Sequence, residues 1–360
     1  MRAAVLRNVG DKTLDVCDDV DLIDPEPNDV VVDITHTGVC HSDLSVMNGT
    51  IPQTVPLILG HEGAGVVAEV GDAVTSVSPG DHVIAVWSPP CGTCVYCLRH
   101  KSPNLCVDLQ FGIMLRRQFR QGDVEVASMC GVGTWAERTL VPEQAVVRID
   151  ASIPLDTAAL VGCGVMTGVG AALNTAKVAP GSSVVVFGVG GVGVSAIQGA
   201  RVAGAAEIVA VDRNLAKLAV ARSFGATEAV LPEELDAAKA EVNDGQGFDY
   251  ALECIGHPAT MRAAFDAVRR GGTCCIVGVG RMEEQVSFSA FEFFFAEKNL
   301  VGSYYGGADV RVDFHRMLRL AETGRLDLAG MIDRRLRLED INDGIEALQT
   351  GDVVRQIVEL

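Results

Sequence analysis

At 360 residues the chain is long enough for two domains, and 48% hydrophobic with 21% charged residues is the composition of a globular protein, not of a disordered one. A formal charge of −18 argues against a general nucleic-acid or anionic-membrane surface; the apolar runs are glycine-broken and shorter than the ~20 residues of a span. Eleven cysteines, an odd number, with no signal-peptide pattern before the first strand point to a reducing compartment, the cytoplasm, and to thiols used for metal or catalysis.

The first forty residues alternate short β-rich runs with turns. Strands are predicted at Arg2–Leu6, Leu14–Cys17 and Val30–Thr37, the last following the turn Asp24-Pro25-Glu26-Pro27. Gly38-Val39-Cys40-His41-Ser42-Asp43 comes next, and Gly60-His61-Glu62-Gly63 follows it. Cysteine and histidine suit zinc, while taken singly Cys40 reads as a packed thiol and His61 as a surface imidazole. Further strands are predicted at Gly63–Val70, Val74–Val77 and Gly80–Val86. Cys91, Cys94 and Cys97 then stand at C-x2-C-x2-C with Cys106 close behind, a set that four thiolates around one tetrahedral ion would use. A disulfide cluster and an iron–sulfur cluster share such spacings. A structural zinc is the reading adopted, because four ligands leave no open position for chemistry. Leu109–Ala127 carries Arg116, Arg117 and Arg120 and little periodicity, so it is predicted to be a long excursion, either solvated or walling a substrate cleft. Strand character returns at Gly133–Pro142.

A short helix is predicted at Leu155–Leu160, broken by Gly162-Cys163-Gly164 and resumed at Thr167–Lys177. From Val184 onward, strands at Val184–Phe187, Ile208–Val211, Glu228–Leu231, Tyr250–Cys254, Thr273–Val277 and Leu300–Tyr304 alternate with helical patterns. That alternation predicts a doubly wound parallel sheet. Gly188, Gly190 and Gly193 form G-x-G-x-x-G directly after the first strand, and a helix opening near Gly191 and Val192 directs free N–H groups at a pyrophosphate. Asp212 ends the second strand, where a carboxylate can accept hydrogen bonds from the adenosine ribose, favouring NAD over NADP; the guanidinium of Arg213 could instead receive a 2′-phosphate. The tail predicts helices at Phe314–Glu322 and Leu338–Leu348 and a last strand at Arg355–Glu359. The pattern changes near residue 164 and again near residue 305: β-rich, metal-ligand-bearing sequence before, a dinucleotide-binding domain at 165–304, and mixed character at 305–360.

Taken together, the Cys40–Asp43 segment, Gly60-His61-Glu62, the four-cysteine lobe, Gly162-Cys163-Gly164 and the glycine loop with Asp212 resemble the zinc-dependent medium-chain alcohol dehydrogenases over essentially the whole chain. The resemblance implies an α/β fold: a GroES-like β-rich catalytic domain plus a Rossmann doubly wound parallel sheet. It joins residues 305–360 to residues 1–164 as one discontinuous zinc-binding catalytic domain. It implies two zinc ions per chain, one structural and one catalytic, with NAD as cofactor. The catalytic ion takes the Cys₂His set known for alcohol dehydrogenase, here Cys40, His61 and Cys163, with one position open. By the same resemblance Asp43 orients His61, Glu62 lies beside the metal, and Ser42 hydrogen-bonds the substrate oxygen. His41 and Arg355 are expected on the cofactor pyrophosphate, Lys217 near the adenosine ribose, and Ile51 and Trp87 along the substrate cleft.

Two departures stand out. Eight residues rather than the usual seven separate Cys97 from Cys106, so the lobe must bulge, and Ser45 occupies a place where many relatives carry the histidine that ends a proton relay. Cys17, Cys130, Cys254, Cys274 and Cys275 match no ligand motif and read as packing residues, Cys130 also as a candidate for the cleft wall.

The implied activity is oxidation of primary alcohols, aromatic or medium-chain ones among them, to aldehydes, by hydride transfer from a zinc-bound alkoxide to NAD. An alternative enzyme reading is a thiol-dependent formaldehyde dehydrogenase acting on an S-hydroxymethyl thiol, for which the arginines of 109–127 could meet a carboxylate. A crystallin-like or nucleotide-binding regulatory protein would be signalled by a lost zinc ligand, and none is lost. The expected partners are a small alcohol or aldehyde and a second copy of the chain joined through the Leu300 strand, with neither nucleic acid nor membrane.

Overall fold

A computed structural model of the chain describes residues 1–351 and 353–360. Two compact units emerge: Met1–Gly164 with Asp309–Ala321 and Leu328–Leu360, and Val165–Ala308 with Glu322–Asp327.

The first unit is β-rich. Its central strand, Asp29–Val39, is dominated by β-branched residues that fit a pleated surface, and it pairs antiparallel with Gly63–Val70, Arg138–Pro142 and Arg355–Glu359. Val146–Ile149, His82–Ala85 and Ile332–Arg337 complete this seven-stranded sheet. A second sheet of six short strands, Ala3–Leu6 and Leu57–Ile58 among them, closes over a core that buries Leu6, Leu57, Ile58, Phe119, Met129 and Trp135.

Three expectations are corrected here. The 109–127 segment is not an irregular excursion: it forms a helix, Asp108–Met114, then an antiparallel hairpin, Phe119–Gln121 with Val124–Ser128, that belongs to the second sheet. The basic residue Arg116 that made it look solvated donates to both carboxylate oxygens of buried Asp29, at 2.6 and 2.5 Å. Val74–Val77 is no strand, because the N–H groups of Thr75 and Ser76 go to the Glu143 carboxylate (2.6 and 2.5 Å) instead of a ladder. Gly162 and Gly164 do not break a helix either. Helical structure runs on from Leu155–Leu160 through widened i→i+5 turns at Val161–Val165 and Ala171–Thr175. Close packing explains the glycine at 164, where a Cβ would collide with the Arg355 guanidinium. The unbroken stretch Leu155–Thr175 is long and apolar enough to cross a membrane, and 78% of its apolar window is already buried in the fold.

In the second unit six strands, all parallel, lie in the spatial order Glu228–Val230, Glu207–Val211, Ser183–Phe187, Phe248–Glu253, Val268–Ile276, Asn299–Gly302. Numbered along the chain this is 3-2-1-4-5-6, the dinucleotide-binding order. Val184, Val185 and Val186 are fully buried, as an apolar run covered on both faces should be. Helices Gly191–Ala203, Leu215–Ser223, Leu235–Glu241 and Pro258–Ala267 lie between the strands along the chain; the first ends on left-handed Gly204, and the second is capped by the Asn214 side chain.

Candidate active site and metal centres

The site in the first unit is assembled around one carboxylate. Cys40 closes the long central strand and precedes the helix His41–Met47, and its N–H donates to Asp43 Oδ2 at 2.9 Å. Asp43 Oδ1 accepts from Gly60 N–H at 3.1 Å and lies 3.3 Å from His61 Nδ1. Fully buried Asp43 thus ties together the two segments that carry Cys40 and His61, and turns Nε2 of the imidazole away from itself. The widened turn Val161–Val165 brings Cys163 to the same place.

Cys40 Sγ, a His61 nitrogen, Cys163 Sγ and a Glu62 carboxylate oxygen all lie within 4.8 Å of one another, and all four residues are buried. Among the described residues His61 Nε2 and Glu62 Oε2 have no hydrogen-bond partner. Buried polar atoms left alone are costly, and a partnerless imidazole nitrogen clustered with two thiols fits a cation that completes its coordination. Two cysteines and one imidazole suit zinc with a position to spare.

The electrostatics of the metal-free cluster agree. Burial disfavours the charged imidazole of His61, but Asp43 and then Cys40 outweigh it and hold its pKa well above the usual value. The Cys163 thiol donates to Cys40, which pushes Cys40 well below a normal thiol and Cys163 well above one. Burial raises Glu62 to about 7 against the pull of Arg355. That arginine is itself buried and donates from Nη2 to Glu62 Oε1 at 2.5 Å and from Nη1 to the Val39 carbonyl at 3.4 Å. Glu62 Oε1 also accepts from Gly164 N–H at 3.2 Å, beside Cys163. Arg355, expected on a pyrophosphate, therefore has its guanidinium engaged by Glu62, while His41 stands exposed in the first turn of its helix.

Other expected residues fall close by. Ser42 Oγ is 3.7 Å from Cys40 Sγ, and the Trp87 ring meets His61 edge-on at 6.4 Å between centroids. Ile51 packs against the core cluster of Leu44, Met47 and Leu57. Gln53 escaped the sequence reading. Its Oε1 accepts from Cys130 N–H at 3.3 Å and its Nε2 donates to Cys130 Sγ at 3.6 Å, fixing Cys130 in a left-handed conformation (φ 50°). It also lines a cavity of about 190 Å³ with Leu57, Phe111, Met114, Leu115 and Ala127. The helix Asp108–Met114 supplies part of that lining through Phe111 and Met114.

The four-cysteine lobe is a separate cluster. The thiols of Cys91, Cys94, Cys97 and Cys106 lie within 4.8 Å of one another, with Sγ–Sγ separations of 3.5 Å (94–97), 3.9 Å (94–106) and 4.0 Å (91–97). A tetrahedron of ~2.3 Å zinc–sulfur bonds has edges of about 3.8 Å, so the cluster suits a structural zinc. N–H groups of Thr93 and Cys94 donate to Cys91 Sγ at 3.4 and 3.2 Å. Against the penalty of desolvation, these donors and the Thr93 hydroxyl bring the Cys91 thiol down to about 6. Between Cys97 and Cys106, left-handed Lys101 (φ 51°) and a tight turn at Pro103–Leu105 return the chain to the cluster.

In the second unit the glycine loop leaves Phe187 and enters the helix at Gly191. Gly188 has φ 89°, and a Cβ at Gly193 would strike the Gly188 carbonyl, so the loop folds back tightly enough to leave N–H groups and a helix dipole for an anion. Asp212 Oδ2 accepts from Val189 N–H at 2.8 Å and Oδ1 from Asn214 N–H at 2.9 Å. Gly188, Gly190, Gly191, Val192, Gly193 and Asp212 are thus one constellation. Exposed Arg213 follows Asp212 directly, and half-buried Lys217 sits in the first turn of the next helix.

Comparison with known proteins converges on this geometry. Residues 26–151 match the alcohol dehydrogenase GroES-like domain, and residues 191–323 the zinc-binding dehydrogenase domain. An S-(hydroxymethyl)glutathione dehydrogenase of Synechocystis sp. is 38% identical over 99% of both chains. Among solved structures, an alcohol dehydrogenase zinc-binding domain protein from Burkholderia ambifaria superposes with a TM-score of 0.93 at 31% identity, covering 100% of this chain and 98% of the other. Benzyl alcohol dehydrogenase from Acinetobacter calcoaceticus superposes with a TM-score of 0.90 at 28% identity, covering 100% and 99%. The chain belongs to the zinc-dependent medium-chain alcohol dehydrogenase family, oxidoreductases whose members act on small alcohol or aldehyde substrates.

Proposed function

We propose that the chain oxidises primary alcohols with an apolar body, aromatic or medium-chain, to aldehydes, using NAD as acceptor and Cys40, His61 and Cys163 to hold the catalytic zinc. The observation that carries this reading is the buried thiol–imidazole cluster with its partnerless His61 Nε2 and Glu62 Oε2. Zinc there would supply a Lewis acid that lowers the pKa of the substrate hydroxyl, and the dinucleotide would supply the hydride acceptor.

The chain's own residues do the rest. Asp43 fixes the tautomer and aim of His61. The hydroxyl of Ser42, beside Cys40, both accepts and donates, so it can take the substrate proton and pass it on. Trp87 shields the imidazole edge and offers an apolar face, and the cavity beside Gln53 and Phe111 gives room for the substrate body. Asp212 accepts from the ribose and repels a 2′-phosphate, which favours NAD over NADP.

A second reading, oxidation of an S-hydroxymethyl thiol, is favoured by the full-length likeness to S-(hydroxymethyl)glutathione dehydrogenase. Weighing against it, Arg116 is spent on Asp29 and the cavity lining named above holds no cation. NADH formation with benzyl alcohol, hexanol and ethanol, and with formaldehyde in the presence and absence of thiols, separates the two. Benzyl alcohol should outrun both ethanol and every thiol–formaldehyde mixture. A rate that needs formaldehyde and thiol together would establish the second reading instead.

For assembly, a homodimer is the reading. Asn299–Gly302 is an edge strand, Leu300 on it is exposed, and Met282, Phe291 and Phe294 in the segment of chain leading to it are exposed too, apolar surface that a second copy can cover. Eleven free thiols favour a reducing compartment, the cytoplasm.

A further inference from the structure

Glu253 is the last residue of the strand Phe248–Glu253, and its side chain is completely buried although no step above uses it. That strand pairs directly with Ser183–Phe187, which feeds the glycine loop, with Glu253 level with Phe187. In the order 3-2-1-4-5-6 these two strands flank the point where the direction of winding reverses, and dinucleotides bind in the crevice at the carboxyl ends there.

The Glu253 carboxylate is saturated by its own loop. Its Oε1 accepts from Ile255 N–H at 3.0 Å, from Gly256 N–H at 2.9 Å and from Thr260 Oγ1 at 2.8 Å, and Oε2 accepts from Gly256 N–H at 3.2 Å. Its carbonyl meanwhile accepts from Val277 and Gly278 N–H at 2.8 and 2.9 Å, fastening the end of the next strand. Gly256 is left-handed (φ 89°), and a Cβ on it would collide with the Val279 backbone. The fixed loop holds Ile255 against the phosphate-binding turn: Ile255 Cγ1 lies 2.7 Å from where a Cβ on Gly188 would be, and Ile255 remains 48% exposed.

We propose that Glu253 is a positioning residue for the cofactor: its buried carboxylate locks residues 254–257 into the wall beside the glycine loop, and so sets the affinity for dinucleotide. The proposal rests on the dinucleotide being held by the second unit. An amide at this position loses the charge and keeps one acceptor atom: its NH₂ group either stands against Gly256 N–H in place of Oε2 or turns onto the three donors that converge on Oε1. The loop then samples other shapes, and apparent affinity falls by the fraction of time it is misplaced.

The test is a fluorescence titration of the full-length protein with NADH, alongside thermal melting. Glu253→Gln should weaken NADH by about tenfold or more, as a loop competent about a tenth of the time requires, with kcat at saturating NAD retained. Thr260→Val removes a bond to the same carboxylate but leaves both loop amides paired; it should lower the melting temperature and leave the NADH Kd unchanged. Equal Kd for wild type and Glu253→Gln would overturn the proposal, as would equal weakening by Thr260→Val, which would make the role one of general stability. Should Glu253→Gln fail to fold, hydrogen exchange on the wild type decides: the amides of Ile255 and Gly256 should be protected without cofactor, and free exchange there would overturn it. A wild type that binds no NADH would remove the dinucleotide reading itself, a result distinguishable from all of these.

Discussion

Replacing Asp43 with asparagine probes the organisation of the catalytic centre most sharply. One fully buried carboxylate accepts from Cys40 N–H and Gly60 N–H and stands against His61 Nδ1. In Asp43→Asn one oxygen becomes an NH₂ group. The charge beside His61 is lost in either orientation; turned toward Cys40, the NH₂ faces that residue's N–H, and turned toward Gly60, it faces an N–H donor beside the imidazole. Either way one buried amide is left unpaired, at about 1–3 kcal/mol. Removing a group that orients a metal ligand costs roughly 10–100-fold in metal affinity, which is about 1.4–2.8 kcal/mol. The two estimates agree, as they should if the same hydrogen bonds hold the ligands in place. Competition with a chromophoric chelator measures the effect directly. The variant should release one zinc equivalent about 10–100-fold more readily while the four-cysteine lobe keeps its own. Unchanged retention at both sites would refute the idea that Asp43 organises the centre.

The metal-free centre makes a pH prediction. His61 and the Cys163 thiol both have raised pKa values, so at neutral pH each carries a proton that zinc must displace. Zinc affinity at this site should therefore fall as pH falls from about 8 to about 6, with protons released on binding; calorimetry in buffers of different ionisation enthalpy checks it, and pH-independent binding would contradict it. Asp212→Gly removes the ribose acceptor and the tie to Val189 N–H, so NAD should bind roughly 10–100-fold more weakly and the preference over NADP should relax, read from kcat/KM for both cofactors. Ser42→Ala should lower kcat for alcohol oxidation by ~10²–10⁴, the usual range for a positioned proton-transfer group. Ser45→His should add an ionisation near ~6.5 to the pH–rate profile wherever a deuterated alcohol shows hydride transfer to be limiting; a large isotope effect with an unchanged profile would take position 45 off the proton's path.

What could be read in the chain followed from local chemistry. Six parallel strands were legible because strands covered on both faces are continuous apolar runs, and the strand Arg355–Glu359 falls where its pattern places it. The glycine loop and the cysteine lobe announce themselves by spacing, since phosphate approach and tetrahedral ligation each need particular residues a few positions apart. Features set by distant partners were not legible. Nothing near Glu62 marks Arg355, 293 residues away, as its ion partner. Gly164 looks like a helix breaker until the arginine packed on it is seen, and Arg116 looks solvated until Asp29 is found beneath it. Glu253 reads as the polar end of a strand; only its three donors reveal a clamp.

The central claim is that Cys40, His61 and Cys163 hold the zinc at which alcohol is oxidised, and one comparison tests it most directly. Benzyl-alcohol-dependent NADH formation should be measured for the wild type and for Cys163→Ser, each with its zinc content determined. The wild type should carry about two zinc equivalents and reduce NAD, while Cys163→Ser should remain folded with about one equivalent, in the lobe, and lose the activity. A Cys163→Ser protein that keeps both its second zinc and its rate would contradict the account.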